Sequence, residues 1–477
     1  MNRISSGPWQ AAFAFGRPSL APLAKALRHG ARRRRSLALH LPAHGRGRGL
    51  APGLEQVLRL PPASWDLPEL PAIGGPLLKD GAVAAAQRRS AALLGADHCW
   101  FGVNGASGLL QAALLGLAPP GSRVLLPRNL HRSLLHGCVL GGLRPLLFDL
   151  PFDAATGLWL PPDPAWMERV LAAALAGGPV AAVVLVSPTY QGQSADLGSL
   201  AAQVHAAGLP LLVDQAHGRG EAIAAGADLV VLSCQKAFGG LAQSAVLLAQ
   251  GDRLQLPALE HALLWLQTSS PSALLLASSE AAIAFALSTA GRRRRSRAEA
   301  LAAKLRSRCR KRKLPLLPGT DPLRLVLDCA ALGINGLAAD DWLIERGVIA
   351  ELPEPGTLTF CLGESPAAAV VRRLPRRLLA LARALGGEPL PPFSRPPLPL
   401  VAEPERSPAE AWRAAAAVVP LADAAGRIAA EPLCPYPPGI PLLIPGERID
   451  PGRLGWLLEQ ARVWPGQIAD TVRVLAL

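Results

Sequence analysis

From Leu209 to Gly240 the chain reads LPLLVDQAHGRGEAIAAGADLVVLSCQKAFGG. Two short apolar runs stand in it. LPLLVD ends in Asp214, and ADLVVLS ends in Ser233 with Cys234-Gln235-Lys236 directly after. Apolar runs of this length, bounded by Gly and polar residues, predict buried strands. Parallel strands that finish in an acid and an amine carry both groups to the carboxyl edge of one sheet, where open α/β sheets bind ligands. Between the two lies Ala216-His217-Gly218.

The flanking sequence repeats the pattern. Apolar runs at Cys99-Val103, Val124-Pro127, Pro145-Phe148, Val180-Val186 and Ala245-Leu248 alternate with helical patterns at Ala82-Leu94, Leu109-Leu117, His131-Leu140, Pro164-Ala176 and Leu200-Ala207. Such alternation predicts an α/β protein with a mainly parallel sheet between helical layers, a three-layer α/β/α arrangement. Polar groups gather at the predicted strand exits: Arg128-Asn129-Leu130-His131, Ser187-Pro188-Thr189-Tyr190, Asp214 and Lys236. Asn104-Gly105-Ala106-Ser107-Gly108 opens a helix, where free N–H groups suit an anion. A carboxylate able to pair with a pyridinium nitrogen, together with a lysine able to form a Schiff base, is the minimum kit for pyridoxal phosphate. Further on, an apolar helix is expected through Ala290, then an arginine run. Beyond Pro318 the alternation changes, with strands at Leu323-Asp328 and Leu358-Leu362 and helices at Ala339-Arg346 and Ala367-Leu385. The expected divisions are an arm over residues 1–75, a large cofactor-binding domain over 76–318 and a small α+β domain over 319–385. A Pro-rich connector (386–400) and a smaller α+β C-terminal domain (401–477) follow.

A chain of 477 residues is long enough for more than one core. Half of it is hydrophobic but only 4% aromatic, which suits Ala- and Leu-rich helices on a sheet and excludes a disordered polymer. The net charge is +14, and all but six of the 49 basic residues are Arg. The runs Arg32-Arg35 and Arg292-Arg297 read first as solvated surface; a polyanion-binding face is the alternative, and no zinc-finger or aromatic RNA-binding motif accompanies them. The seven cysteines are scattered and form no CxxC pair, which fits reduced thiols in the cytoplasm and neither a disulfide framework nor a metal site. No apolar run reaches the length of a membrane span, and no secretory signal is expected.

Taken in order, several short motifs resemble those of the ornithine/lysine/arginine decarboxylase family. They are HLPAHG (His40 to Gly45), Asp66-Leu67-Pro68-Glu69-Leu70, VNGAS, PRNLHRSLLHG, SPTYQG, LLVDQAHG, SCQK, LQTSSPS and YPPGIPLLIPGE, which ends at Glu447. The chain looks like the short form of the family, without the N-terminal receiver-like domain of its longer members. The resemblance implies the pyridoxal-phosphate-dependent aspartate-aminotransferase fold (fold type I), with the last division as the family's C-terminal domain. It implies roles too. Ala106, Ser107 and Ser233 hold the cofactor phosphate, His131 and Ala216 pack on the two ring faces, and Thr189 lies near the ring hydroxyl. Asp214 keeps the ring nitrogen protonated, His217 sits beside the reacting carbon, and Lys236 forms the Schiff base. His44 and Glu447 are candidate substrate contacts. The implied reaction is decarboxylation of lysine, ornithine or arginine to a diamine or agmatine, feeding polyamine synthesis, in a homodimer or higher even assembly.

Four positions depart from the family pattern. Gln235 stands where the family has His before the lysine, and Gln215 where it has Glu after the aspartate. Gln191 replaces the second aromatic of SPTYYG, and Arg46 replaces the lysine of the N-terminal turn. A glutamine still donates to a phosphate oxygen but carries no charge. The alternatives to a decarboxylase are therefore the same cofactor with aminotransferase or lyase chemistry, or a catalytically degenerate binding or regulatory homologue. Binding of nucleic acid through the arginine runs ranks last and predicts strongly salt-dependent affinity.

Overall fold

The computed structural model describes residues 22–32, 36–436 and 439–476. The first part of the expected arm, Arg33-Arg35 of the first arginine run and Pro437-Pro438 lie outside the described residues. The predicted strands assemble into an eight-stranded sheet. Across it the order is Val401–Ala402, Arg144–Phe148, Arg123–Pro127, Ala182–Val186, Leu211–Asp214, Leu229–Ser233, Ala245–Ala249 and His98–Gly102. The five strands from Arg144–Phe148 to Leu229–Ser233 run parallel. Ala245–Ala249 is antiparallel to both its neighbours, and Val401–Ala402 closes the other edge antiparallel.

Pleating explains why these strands read as unbroken apolar runs. Leu125, Val183, Leu211 and Val230 project into one helical layer, and Val124, Val184, Leu212 and Val231 into the opposite one. Both faces are buried, so both sets of residues are apolar, and the expected three-layer arrangement forms.

A third core gathers round an antiparallel sheet in the order Arg324–Asp328, Thr357–Cys361, Leu352–Pro353. The helices Thr289–Arg310, Gly336–Glu345 and Val370–Leu385 cover it, supplying Ala302, Leu305, Leu343 and Leu378. The arm is joined to this unit, because Leu37–Ala38 pairs in parallel with Val348–Ile349. A fourth, smaller core lies between the antiparallel pair of Ala416–Pro420 with Thr471–Leu475 and the helix Pro451–Val463.

One element differs from its expectation. The apolar helix stops at Leu287, and a second helix, Thr289–Arg310, leaves it at 75°. Ser288 causes the break: its Oγ donates to Phe285 O at 2.6 Å and accepts from Gly291 N at 3.0 Å, capping the new helix. The arginine run on that helix is not all solvated surface. Arg294 donates to Gly49 O and Leu50 O of the arm, and Arg295 pairs with Glu299, Asp321 and Glu364, while Arg292, Arg293 and Arg297 are exposed.

Candidate active site

Asp214 and Ser233 are the last residues of adjacent parallel strands. Lys236 is not itself at a strand end. It lies in the short helix Cys234–Ala237, into which the strand turns directly after Ser233. That turn aims the amine at His217, with Lys236 Nζ 3.2 Å from His217 Nε2. The Tyr190 ring covers this pair, its centroid 4.4 Å from the His217 ring and 5.8 Å from the lysine nitrogen. The Tyr190 hydroxyl donates to Glu351 Oε1 at 2.6 Å, and Glu351 Oε2 accepts from Leu41 N at 2.7 Å, so the arm braces the site. On its other side His217 meets Arg324, with Nδ1 2.9 Å from Arg324 Nη2.

Burial governs the charges here. Loss of hydration pushes Lys236 below the ordinary lysine value, against the pull of Asp214. The same loss pushes Asp214 upward, opposed by Lys236 and by the Ala216 N–H that its Oδ1 accepts at 3.1 Å. His217 is pushed well below the imidazole range by burial and by the nearby charges of Lys236 and Arg324. His131 falls to about 4, through burial first and Lys236 second. Both histidines are therefore neutral near pH 7.

A cavity of about 390 Å³ opens beside the lysine, walled by His217, Lys236, Arg324, Ser187, Arg219 and Glu364. The other expected residues take these places. Ala106 and Ser107 occupy the first turn of the helix Gly105–Leu117, where N–H groups have no intrahelical partner. His131 caps the helix Arg132–Gly141, accepting from Ser133 N. Thr189 is buried, and its Oγ1 accepts from Gln193 N at 3.2 Å within the loop that carries Tyr190. Ala216 and Ser233 are buried at the sheet edge. A buried carboxylate, a half-buried amine and a helix start with unpaired N–H groups are the kinds of group that the ring nitrogen, aldehyde and phosphate of pyridoxal phosphate call for.

His44 and Glu447 are held elsewhere. His44 Nδ1 accepts from Gly47 N at 2.9 Å inside the arm's own turn; its neighbour Ala43 reaches the site, donating its N–H to Gln235 O at 2.7 Å. The Glu447 carboxylate does not line the cavity beside Lys236. It is buried against Arg128 Nη2 at 2.7 Å and Nη1 at 3.0 Å, and also accepts from Arg453 and from Ile444 N. Burial alone pushes Glu447 up, but the two guanidinium groups bring it below the usual glutamate value. Its work is to tie the C-terminal segment to the sheet.

Two of the three glutamines that depart from the family pattern have defined work. Gln215 Oε1 accepts from Gly220 N and Ala222 N, and its Nε2 donates to Glu221 Oε2 at 3.1 Å, so a glutamate there would set two carboxylates together. Gln191 Nε2 donates to the buried Glu354 at 2.8 Å. Arg324 and Glu351 escaped the sequence reading. Arg324 is one arginine among many, in a strand of a different unit, and nothing local to DPLRLVLD marks it as facing His217.

Comparisons with known proteins point to one family. The family model described as Orn/Lys/Arg decarboxylase, major domain, matches residues 21–322, and the model for that family's C-terminal domain matches residues 393–463. The chain is 28% identical to an arginine decarboxylase of Bacillus subtilis, over 89% of this chain and 91% of the relative. It is 30% identical to an arginine decarboxylase of Halalkalibacterium halodurans, over 91% of this chain and 93% of the relative. Among solved structures, lysine decarboxylase A from Pseudomonas aeruginosa shares the fold with a TM-score of 0.72 at 20% identity, covering 86% of this chain and 74% of that one.

Proposed function

This chain belongs to the Orn/Lys/Arg decarboxylase family, and on that premise we propose that it is a pyridoxal-phosphate-dependent decarboxylase of a basic amino acid, with Lys236 as the cofactor lysine. The observation that carries the reading is the half-buried Lys236 amine, in contact with neutral His217 and in the field of buried Asp214. Arginine is the first substrate to test, because four relatives that align over 87–91% of the chain are arginine decarboxylases. Lysine and ornithine follow.

When bound, pyridoxal phosphate supplies an aldehyde for an amine and a ring that takes up the electron pair left by departing CO₂. The chain supplies the rest. Asp214 holds a proton at the ring nitrogen, since a carboxylate in a dry site favours the adjacent cation. The N–H groups of Ala106 and Ser107, with the Ser233 hydroxyl, would hold the cofactor's phosphate. His131 and Ala216 would pack against its ring, and Thr189 would lie near its hydroxyl. Lys236, or His217 beside it, returns a proton to the α-carbon, as positioned acid–base groups do. A homodimer or higher even assembly, a cytoplasmic location and supply of a diamine or agmatine to polyamine synthesis belong to the same proposal.

The test is the visible spectrum of the purified protein with pyridoxal phosphate, before and after each of arginine, lysine and ornithine, with CO₂ measured in parallel. We expect a Schiff-base band that is absent in Lys236→Ala, and CO₂ from one of the three. A band without CO₂ would remove the decarboxylase reading and leave a binding or altered-chemistry homologue. No band would remove the cofactor.

A further inference from the structure

We propose that Arg324 sets the tautomer of His217, so that His217 Nε2 carries the ring proton and Lys236 is held as a neutral amine facing it. This rests on the reading of Lys236 as the cofactor lysine, since a neutral amine is the form that condenses with an aldehyde.

Counting donors fixes the protons. A guanidinium has only N–H donors and stays protonated in proteins. At 2.9 Å from Arg324 Nη2, His217 Nδ1 is therefore an acceptor. A neutral imidazole has one acceptor nitrogen, so the proton is on Nε2. That N–H points at Lys236 Nζ from 3.2 Å, and the lysine answers with a lone pair, which only the uncharged amine possesses. An ammonium would set donor against donor, and an imidazolium would turn a second proton toward the guanidinium.

The surroundings hold this arrangement. Arg324 is 4% exposed; its Nη1 donates to Cys361 Sγ at 2.7 Å on the neighbouring strand, where Arg324 and Cys361 are register partners. Its buried Nε has no hydrogen-bond partner among the described residues. With Nη1 engaged, the donor aimed at His217 is the one that reaches the site. The charged and titratable groups acting on the pair are Asp214, Glu351, Cys361, His131 and Arg324, with the Tyr190 ring over both. Asp214 and Glu351 favour an ammonium, while burial and Arg324 oppose it, and burial is the largest influence. Arg324 thus acts as a positioning residue through His217.

Two measurements test this. In protein labelled with ¹⁵N-histidine and freed of cofactor, two-bond ¹H–¹⁵N spectra report the tautomer, with His217 identified by its loss in His217→Gln. We expect the Nε2–H form at pH 7; an Nδ1–H form or an imidazolium overturns the proposal. The second is the pH dependence of pyridoxal phosphate capture by the cofactor-free protein, read as the rise of the Schiff-base band. In Arg324→Met the midpoint moves up by about one pH unit and capture at pH 7 slows about tenfold. Arg324→Lys, which still donates, retains most of the wild-type rate. A folded Arg324→Met whose profile overlays the wild type overturns the proposal, and if that variant does not fold the tautomer decides. The spectra need no cofactor, so they judge this inference separately. A wild-type protein that forms no Schiff-base band defeats the functional reading instead.

Discussion

At the scale of single residues, Glu354 shows how the departures from the family pattern are built in. It is 4% exposed, and its Oε2 accepts from Gln191 Nε2 at 2.8 Å and Thr357 Oγ1 at 3.0 Å. Burial raises its pKa to about 7, against the pull of those two donors. A folded-state value above the unfolded one means that the unfolded chain binds fewer protons between the two. Stability therefore falls as pH rises from about 4.5 to about 7, by about 3 kcal/mol, and is level above that. Glu354→Gln keeps an acceptor for Gln191 and Thr357 and removes the titration. Denaturant melts should show the variant gaining on wild type as pH rises from 5 to 8; parallel curves would place the ionisation elsewhere. Gln191 is thus half of a buried hydrogen-bonded pair next to Tyr190, where an aromatic would leave Glu354 with one donor fewer.

At the scale of elements, the break at Ser288 sets how the large sheet is joined to the small one. Thr289–Arg310 brings Ala298, Ala302 and Leu305 onto the small sheet only because it leaves the preceding helix at a steep angle. Gly291 permits that approach: a Cβ there would stand 1.9 Å from Phe285 O and 2.8 Å from Ala286 Cα. Gly291→Ala must move backbone and is expected to cost roughly 1–3 kcal/mol. Gly455, inside the helix Pro451–Val463 with open space around its missing Cβ, is the matched control. Gly455→Ala should stabilise by up to about 1 kcal/mol through helix propensity. Thermal melts of the two variants should move in opposite directions.

At the scale of the whole molecule, a buried ion pair ties the C-terminal unit to the sheet, alongside the edge strand Val401–Ala402. Arg128, fully buried at the exit of Arg123–Pro127, meets Glu447 in a two-pronged contact and also donates to Leu442 O. Removing one partner strands the other charge in a dry site, so Glu447→Ala should cost about 3–5 kcal/mol. Limited proteolysis should then cut within residues 401–477 before the large domain. Arg128→Met with Glu447→Leu removes both charges and should recover much of the loss. Resistance of Glu447→Ala equal to wild type would show that other contacts hold the unit.

Sequence alone determined the parallel sheet, because a strand buried on both faces must be apolar throughout, and it marked Asp214, His217, Lys236 and His131 because chemistry-bearing residues collect at strand exits. Family motifs added roles for Ala106, Ser107, Thr189 and Ser233. The tertiary structure decided what depends on contacts between distant segments. Arg324 lies 107 residues from His217, and Glu447 lies 319 from Arg128, so neither pairing leaves a periodic or local signature. Glu447, a candidate substrate contact by resemblance, lies buried against Arg128 and Arg453, because whether a carboxylate meets a ligand or a guanidinium is settled only when the chain closes on itself.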